Sequence, residues 1–580
     1  MNKGSSAHGR VQRVALFVCV LVSCTFAASF YRVVTLKLNP PVVLLQTAED
    51  TNSTINHLAT RGSLLDRRGR ILAGSRVGYR LFVDPSMTED PAQLALELGE
   101  KLSLPPAEIE RKIRQREHTK YAVVVDLLEY WQVEVIRNST YKNIGLEQRL
   151  VRSYPHGNTV ASLVGLVGTE HTGLAGLEYA LNDSLGGESG VLIRQRDIRK
   201  QTLWVDPENY KKKTDGEDIR LTIDVVIQEI ATNHLQEAVV RCNAGGGRVV
   251  VLDPTTGDIL AMRDILNPRE NWTQEVADPA RESDPRLGRN RCVSDPYEPG
   301  STFKPFIWST ATELGKAQID EVLPTPTAGT PYQTASGRVI RDAHYYGPSS
   351  WQKVLIKSMN SGMAIVADRL SEQEMQQAIS NFGFGTPTFV GLGGETSGIV
   401  TSPQHWDSYT QASVAMGHEI AVTPVQMVQA FSAFARDGSI PQLQILASKG
   451  KSIPILKQAI TPEIATLTRE IMGKVMTEGT GRNSQSDLYD LFGKSGTAQL
   501  PKADGTGYFE DRYISSFIAG APMQEPALVV VCVIDDPDKS IAHYGGVVAG
   551  PVVRNIIDDT LDYLGVPPSK PQQVTYNSDE

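Results

Sequence analysis

Tyr297-Glu298-Pro299-Gly300-Ser301-Thr302-Phe303-Lys304-Pro305-Phe306 is the stretch on which the reading of this chain turns. Pro299 and Gly300 stop the preceding segment, so Ser301 falls where a helix would begin, and Lys304, three residues on, meets it on one helix face. A serine hydroxyl is a poor nucleophile until a base takes its proton. A lysine amine serves as that base when burial and neighbouring cations lower its pKa. The helix N-terminus adds backbone N–H groups and a partial positive charge for a developing oxyanion. Alone the spacing says little, because S-x-x-K also occurs at Ser139/Lys142, Ser350/Lys353 and Ser448/Lys451.

Two companions lift the Ser301 pair above the others. Ser358-Met359-Asn360 supplies S-x-N, able to contribute a proton relay and an amide that grips a peptide. Lys494-Ser495-Gly496-Thr497 supplies a lysine, hydroxyls and a glycine. It fits an edge strand, where the glycine lets a substrate backbone approach closely. There the lysine raises the local potential and a backbone N–H completes an oxyanion hole. S-x-x-K, S-x-N and K-[ST]-G in that order form the set of the penicillin-recognising serine acyltransferases.

The segments around these motifs predict an α+β body. Leu221-Thr222-Ile223-Asp224 reads as a short strand whose Asp caps a helix over Val225–Val240. Gly247–Asp253 and Asp258–Arg263 form a hairpin across Pro254-Thr255-Thr256-Gly257, and a second hairpin pairs Ser515–Ala521 with Ala527–Ile534. Helical sequence fills the space between, including the Thr423-Pro424-Val425-Gln426 start, and a C-terminal helix covers Val552–Leu564. Strands early and late with helices in the middle imply an antiparallel sheet closed by distant segments, with a helical subdomain inserted. Upstream, Arg61–Ala73 reads as strand, turn, strand, followed by strands at Tyr79–Val83 and Tyr121–Leu127 and helices at Asp90–Leu102 and Pro106–Arg116. That half gathers no nucleophiles or metal ligands and reads as a mixed α/β platform.

At the start, Val14–Tyr31 is eighteen residues without a charge, flanked by Arg13 and Arg32, about 27 Å of helix and enough to cross a hydrocarbon core. Lys3, Arg10 and Arg13 before it, with no acid, keep the first thirteen residues cytoplasmic and the bulk outside. A cleaved signal peptide, cut near Thr25-Phe26-Ala27, is the rival reading. The expected organisation is a cytoplasmic tail over 1–13, a transmembrane helix over 14–31, a pedestal over 32–215, a catalytic domain over 216–566 and a disordered tail over 567–580.

Net charge −9, with no run of five or more like charges, argues against nucleic-acid binding. Five cysteines are too few and scattered for a disulfide framework. Cys19 and Cys24 fall in the span, and Cys242, Cys292 and Cys532 read as small buried hydrophobes that form one pair at most. No metal or cofactor site is expected. Glu178-Tyr179-Ala180-Leu181-Asn182 spells the E-x-x-L-N of some β-lactamases, but lies before Ser301 and reads as structural. His418-Glu419 opens an H-E-x-x-H that fails at Val422, and no G-x-S-x-G elbow occurs. Asp342 and His344 read as solvated or satisfied polar residues rather than a dyad.

The chain resembles a class B penicillin-binding protein of the monofunctional septal type. Beyond the three motifs, the resemblance is carried by Arg61-Gly62…Asp66-Arg67…Gly69…Leu72-Ala73, by Arg149…Tyr154-Pro155…Gly157 with Gly176-Leu177-Glu178, by Leu221–Asp224, Asp253-Pro254…Thr256-Gly257, Thr423–Gln426, Gly479-Thr480-Gly481 and Tyr544-Gly545-Gly546. It implies a penicillin-binding, serine β-lactamase-like transpeptidase domain behind a pedestal. Ser301 is implied as nucleophile on a stem peptide, Lys304 as its base, and Ser358 and Lys494 as a proton relay. Asn360 is implied to bind the donor peptide, the N–H groups of Ser301 and Thr497 to form the oxyanion hole, and Ser495 and Thr497 to hold the terminal carboxylate around Gly496. The implied ligands are peptidoglycan stem peptides and inhibitory β-lactams. The implied partners are a polytopic glycan polymerase and division proteins at the inner membrane. Met359 and Ser495 depart from residues common in the septal type without removing a functional group. Rival functions are an elongation transpeptidase, a carboxypeptidase or β-lactamase, and a penicillin sensor. Thirteen cytoplasmic residues disfavour the sensor, a platform of this size disfavours the free hydrolase, and Glu298 before Pro299-Gly300 disfavours the elongation type.

Overall fold

The computed structural model describes residues 5–41, 52–57, 59–196, 202–205, 210–267, 278–334, 337–448, 455–502 and 507–571. Two compact units divide the chain: Met1–Thr60 with Gly187–Gly216, and Arg61–Gly186 with Glu217–Glu580.

The first unit holds helix α1, Ser5–Leu38. The span expected at 14–31 lies inside it, and the helix runs unbroken through Thr25–Ala27. Its 34 residues amount to about 51 Å. Phe17, Phe26, Phe30 and their neighbours are exposed, and the helix is long and apolar enough to cross a membrane. Asn52–His57, Gly190–Arg196 and Thr202–Val205 make a three-stranded antiparallel sheet. Most of the tail expected over 567–580 lies outside the described residues.

In the second unit the platform forms around Ile71–Val83, which pairs antiparallel with Ile144–Ser153 and Ala122–Val125. Helices Pro91–Leu102 and Pro106–Arg114 lie where expected. Asp90 caps the first by accepting the N–H groups of Ala92 and Gln93. Together they enclose a small core that includes Leu81, Val83, Leu98 and Ile113.

The rest of the second unit is built on a five-stranded antiparallel sheet, whose strands we label β1 (Gly246–Leu252), β2 (Ile259–Leu266), β3 (Phe492–Pro501), β4 (Tyr508–Ala521) and β5 (Leu528–Asp535). Their order is β2-β1-β5-β4-β3, so β3 is an edge and early and late chain meet at β1–β5, Val531 opposite Val250. Both faces are covered, which is why β5 reads as an almost continuous apolar run. Val530, Cys532 and Ile534 pack with helices α2 (Val225–Arg241) and α7 (Gly550–Leu564). The alternate Val529, Val531 and Val533 join the core of the helical subdomain. That subdomain contains α3 (Lys304–Glu313), α4 (Asn360–Ala367), α5 (Pro424–Ala435) and α6 (Pro462–Glu478). Thr423 and Gln426 close a reciprocal cap at the start of α5, with Pro424 in its first turn.

Candidate active site

Ser301 sits in a single 3₁₀ turn, Gly300–Phe303, that runs directly into α3. Gly300 takes a left-handed φ of 53°, and its N–H donates to the Gly417 carbonyl at 3.0 Å. The Thr302 hydroxyl closes the turn by donating to Pro299 O at 2.7 Å. Phe303 and Phe306 anchor the start of α3 among Phe382, Phe384 and Phe434. Ser301 itself is half-buried between these buried neighbours.

Lys304 is fully buried. Its Nζ donates to Ser358 O at 2.7 Å and Asn360 Oδ1 at 2.6 Å, with the Ser358 hydroxyl at 3.3 Å. Burial pushes its pKa down to about 7, against the opposing charge of Asp342. Asp342 is held at the start of α4, where its carboxylate accepts the Ser361 N–H at 2.9 Å and the Ser361 hydroxyl. The two amide oxygens near Lys304 can only accept. A neutral amine gives its two N–H bonds to them and keeps its lone pair for a hydroxyl.

Lys494, on β3, is also fully buried, and its Nζ donates to Ser358 Oγ and to Ser495 O, both at 2.9 Å. Burial, and then the neighbouring Lys304, push its pKa well below the ordinary lysine value. One hydroxyl thus lies between two amines that resist carrying charge together. Ser358 holds a left-handed backbone, φ 58°, which for a residue with a side chain costs on the order of 1–3 kcal/mol. Its carbonyl and hydroxyl both reach Lys304 from that conformation. The S-x-x-K, S-x-N and K-S-G segments therefore meet at one point.

The structure gives each of the remaining motif residues a partner within the chain. At Gly496, expected to admit a substrate backbone, a Cβ would come 2.6 Å from Pro299 O, 2.5 Å from Ser516 Oγ and 2.9 Å from Thr302 Cγ2. The glycine lets β3 press against the turn that carries Ser301. The Asn360 amide, implied as a ligand of the donor peptide, accepts from Lys304 and donates to Arg341 O at 2.9 Å. Ser495 Oγ donates to Thr480 Oγ1 at 2.7 Å, and Thr497 Oγ1 accepts the Gly545 N–H at 2.9 Å. Sequence reasoning missed Thr480 as a site residue; its position between Gly479 and Gly481 was the available signal. Asp342, read as a solvated or satisfied polar residue, is satisfied by Ser361, a link that spans too many residues for any local pattern.

The decoys resolve. Ser350 caps a short helix, and Ser139 donates to Ile136 O; Lys451 lies outside the described residues. Glu178 is fully buried, paired with Arg61 and Arg152 at 2.6 Å each. His344 is exposed with its ring beside Tyr346, apart from the bonded Asp342 carboxylate. No group of residues able to hold a metal occurs among the described residues. Cys242, Cys292 and Cys532 are buried and free of disulfides.

The family model for the penicillin-binding protein transpeptidase domain matches residues 247–558, and that for the penicillin-binding protein dimerisation domain matches residues 56–221. The chain belongs to the class B penicillin-binding proteins. This penicillin-binding protein is 31% identical to the probable peptidoglycan D,D-transpeptidase PenA of Neisseria gonorrhoeae, over 98% of its own chain and 95% of PenA. With the peptidoglycan D,D-transpeptidase FtsI of Escherichia coli K12 it shares 26% identity over 95% and 91% of the two chains. The solved structure of penicillin binding protein 3 from Mycobacterium tuberculosis, complexed with aztreonam, is 25% identical. It superposes with a TM-score of 0.66, covering 89% of this chain and 99% of that one. As a class B penicillin-binding protein the chain is an enzyme of a serine acyltransferase family, the D,D-transpeptidases.

Proposed function

We propose that this penicillin-binding protein cross-links peptidoglycan through an acyl-enzyme on Ser301. The observation that carries the reading is the Ser358 hydroxyl held between Lys304 and Lys494, two buried amines from segments far apart in sequence. The neutral Lys304 amine takes the Ser301 proton as Oγ attacks the carbonyl of the penultimate D-alanine of a stem peptide. The tetrahedral oxyanion faces the N–H groups of Ser301 and Thr497. The C–N bond then breaks, and the terminal D-alanine amine leaves with a proton relayed through Ser358 and Lys494. A second stem peptide's amine attacks the Ser301 ester, restoring the hydroxyl and closing the cross-link. β-Lactams enter by the same attack and remain as the ester.

The wider reading is an enzyme of the septum. Helix α1 anchors it in the inner membrane with the N-terminus cytoplasmic, supported by Arg10 and Arg13 before the apolar stretch. Residues 32–215 act as pedestal and 216–566 as transpeptidase domain, a division that the two family matches support. The PenA and FtsI relatives support the transpeptidase reading, and a glycan polymerase and division proteins are the partners it implies. Labelled penicillin should attach covalently to Ser301, and Ser301→Ala should abolish labelling; a variant that still labels overturns the nucleophile. Release of the label within seconds would make the enzyme a hydrolase instead.

A further inference from the structure

Glu298, three residues before Ser301, is only 13% exposed at its side chain and has no role in the acyl-transfer steps above. Its carboxylate gathers donors from two other parts of the chain. Oε2 accepts from His418 Nδ1 at 3.0 Å, and Oε1 accepts the Glu419 N–H at 3.0 Å and the Tyr508 hydroxyl at 2.8 Å. The backbone beside it is zipped to the same segment. Tyr297 and Val422 exchange both N–H···O bonds at 2.9 Å, Gly300 N–H donates to Gly417 O, and a Cβ on Gly417 would run into the Gly300 carbonyl. Glu419 holds a left-handed φ of 58° despite its side chain, and in that conformation its N–H meets Glu298. Tyr508 opens β4 and pairs with Pro501 at the far end of β3, the strand that carries Lys494 and Thr497.

We propose that Glu298 is a positioning residue, holding the turn that presents Ser301 in register with the substrate strand β3. Its bond to Tyr508 ties that turn to the distal end of the β3–β4 hairpin, while Gly496 against Pro299 fixes the near end. With both ends tied, the Ser301 N–H and the Thr497 N–H keep one spacing. The proposal rests on the acyl-transfer reading and adds a residue that acts through Ser301 without touching the peptide. The carboxylate is needed for its acceptors and not its charge. A glutamine offers one oxygen to Glu419 N–H and Tyr508, and an N–H to His418 in its other tautomer.

The test is stopped-flow acylation of the full chain by a labelled penicillin, separating the rate of the chemical step from the non-covalent encounter constant, with the melting temperature alongside. A nucleophile displaced by an ångström loses about 100-fold, so Glu298→Ala should slow the chemical step about 10- to 100-fold with little change in the encounter constant. Glu298→Gln should stay within about threefold of the parent. Tyr508→Phe deletes only the hydroxyl of an exposed side chain and should slow acylation several-fold at unchanged melting temperature, which keeps the test alive if Glu298→Ala misfolds. Parent-like acylation in Glu298→Ala or Tyr508→Phe overturns the proposal. So does a Glu298→Gln rate as low as that of Glu298→Ala, which would mean that charge is what matters. Labelling that survives Ser301→Ala would instead remove the acyl-transfer reading itself, whatever the Glu298 variants do.

Discussion

At the scale of single residues, the proposed chemistry depends on Lys304 being available without its proton. Its pKa of about 7 sets that availability, and the acylation rate should climb with pH through about 7 and level off above it. Stability follows the same direction. Between about 7 and the ordinary lysine value the unfolded chain binds the proton that the folded chain refuses, so Lys304 makes the fold more stable as pH rises across that window and less stable below it. Acylation rates from about pH 5 to pH 9 read the first effect. A rate flat with pH would contradict the base role. Lys304→Arg keeps the charge but cannot release it, and general-base catalysis is worth about 100- to 10,000-fold. A loss in that range is expected, whereas parent-like acylation in the arginine variant would exclude the lysine as base. The motif residues were legible because their chemistry is unusual in combination. Their partners were not. Asn360 reads from the sequence as a peptide ligand, and nothing local in the chain announces Lys304 as its neighbour at 2.6 Å.

At the scale of elements, local patterns translated well wherever the determinant was local. The Thr423-Pro424 cap, the hairpins around residues 254–257 and 521–528, and the Asp224-capped helix all formed where turn and capping chemistry placed them. The sheet order was less accessible, since apolar alternation reports which residues face a core and not which strand lies alongside. Gly496 shows the gap. A glycine on an edge strand signals close approach of something, and the sequence could not say that the thing is the backbone of Pro299. Gly496→Ala places a methyl against Pro299 O, Ser516 Oγ and Thr302 at once, so the strand must move off the turn. Overpacking of this kind costs about 1–3 kcal/mol. The variant should melt several degrees lower and acylate markedly more slowly, even at temperatures where it is fully folded. Normal acylation in a folded Gly496→Ala protein would show that β3 and the turn are not in the registered contact seen here.

At the scale of the whole molecule, the second unit is knit together by buried charge as well as by apolar packing. Leu64, Leu72, Leu177 and Leu185 share one core with Phe303, Phe306 and Trp308. Arg70 bonds both Asp66 and the α2 cap Asp224, which also receives Tyr563 from α7. Glu178 is the clearest case, because its sequence context, E-x-x-L-N, matches a deacylating segment. In the structure its carboxylate binds Arg61 and Arg152, both nearly inaccessible, while Asn182 accepts from Arg61 at 2.9 Å. Removing a carboxylate from such a site leaves two guanidinium groups buried without their counter-charge, and breaking a buried pair costs about 3–5 kcal/mol. Glu178→Ala should therefore lower the melting temperature strongly. Kept cold enough to remain folded, it should acylate normally and hold its penicillin ester as long as the parent does. A longer-lived ester in Glu178→Ala would give Glu178 a part in hydrolysis. Unchanged stability would mean that the two arginines find other partners, and that this ion cluster does not hold the fold together.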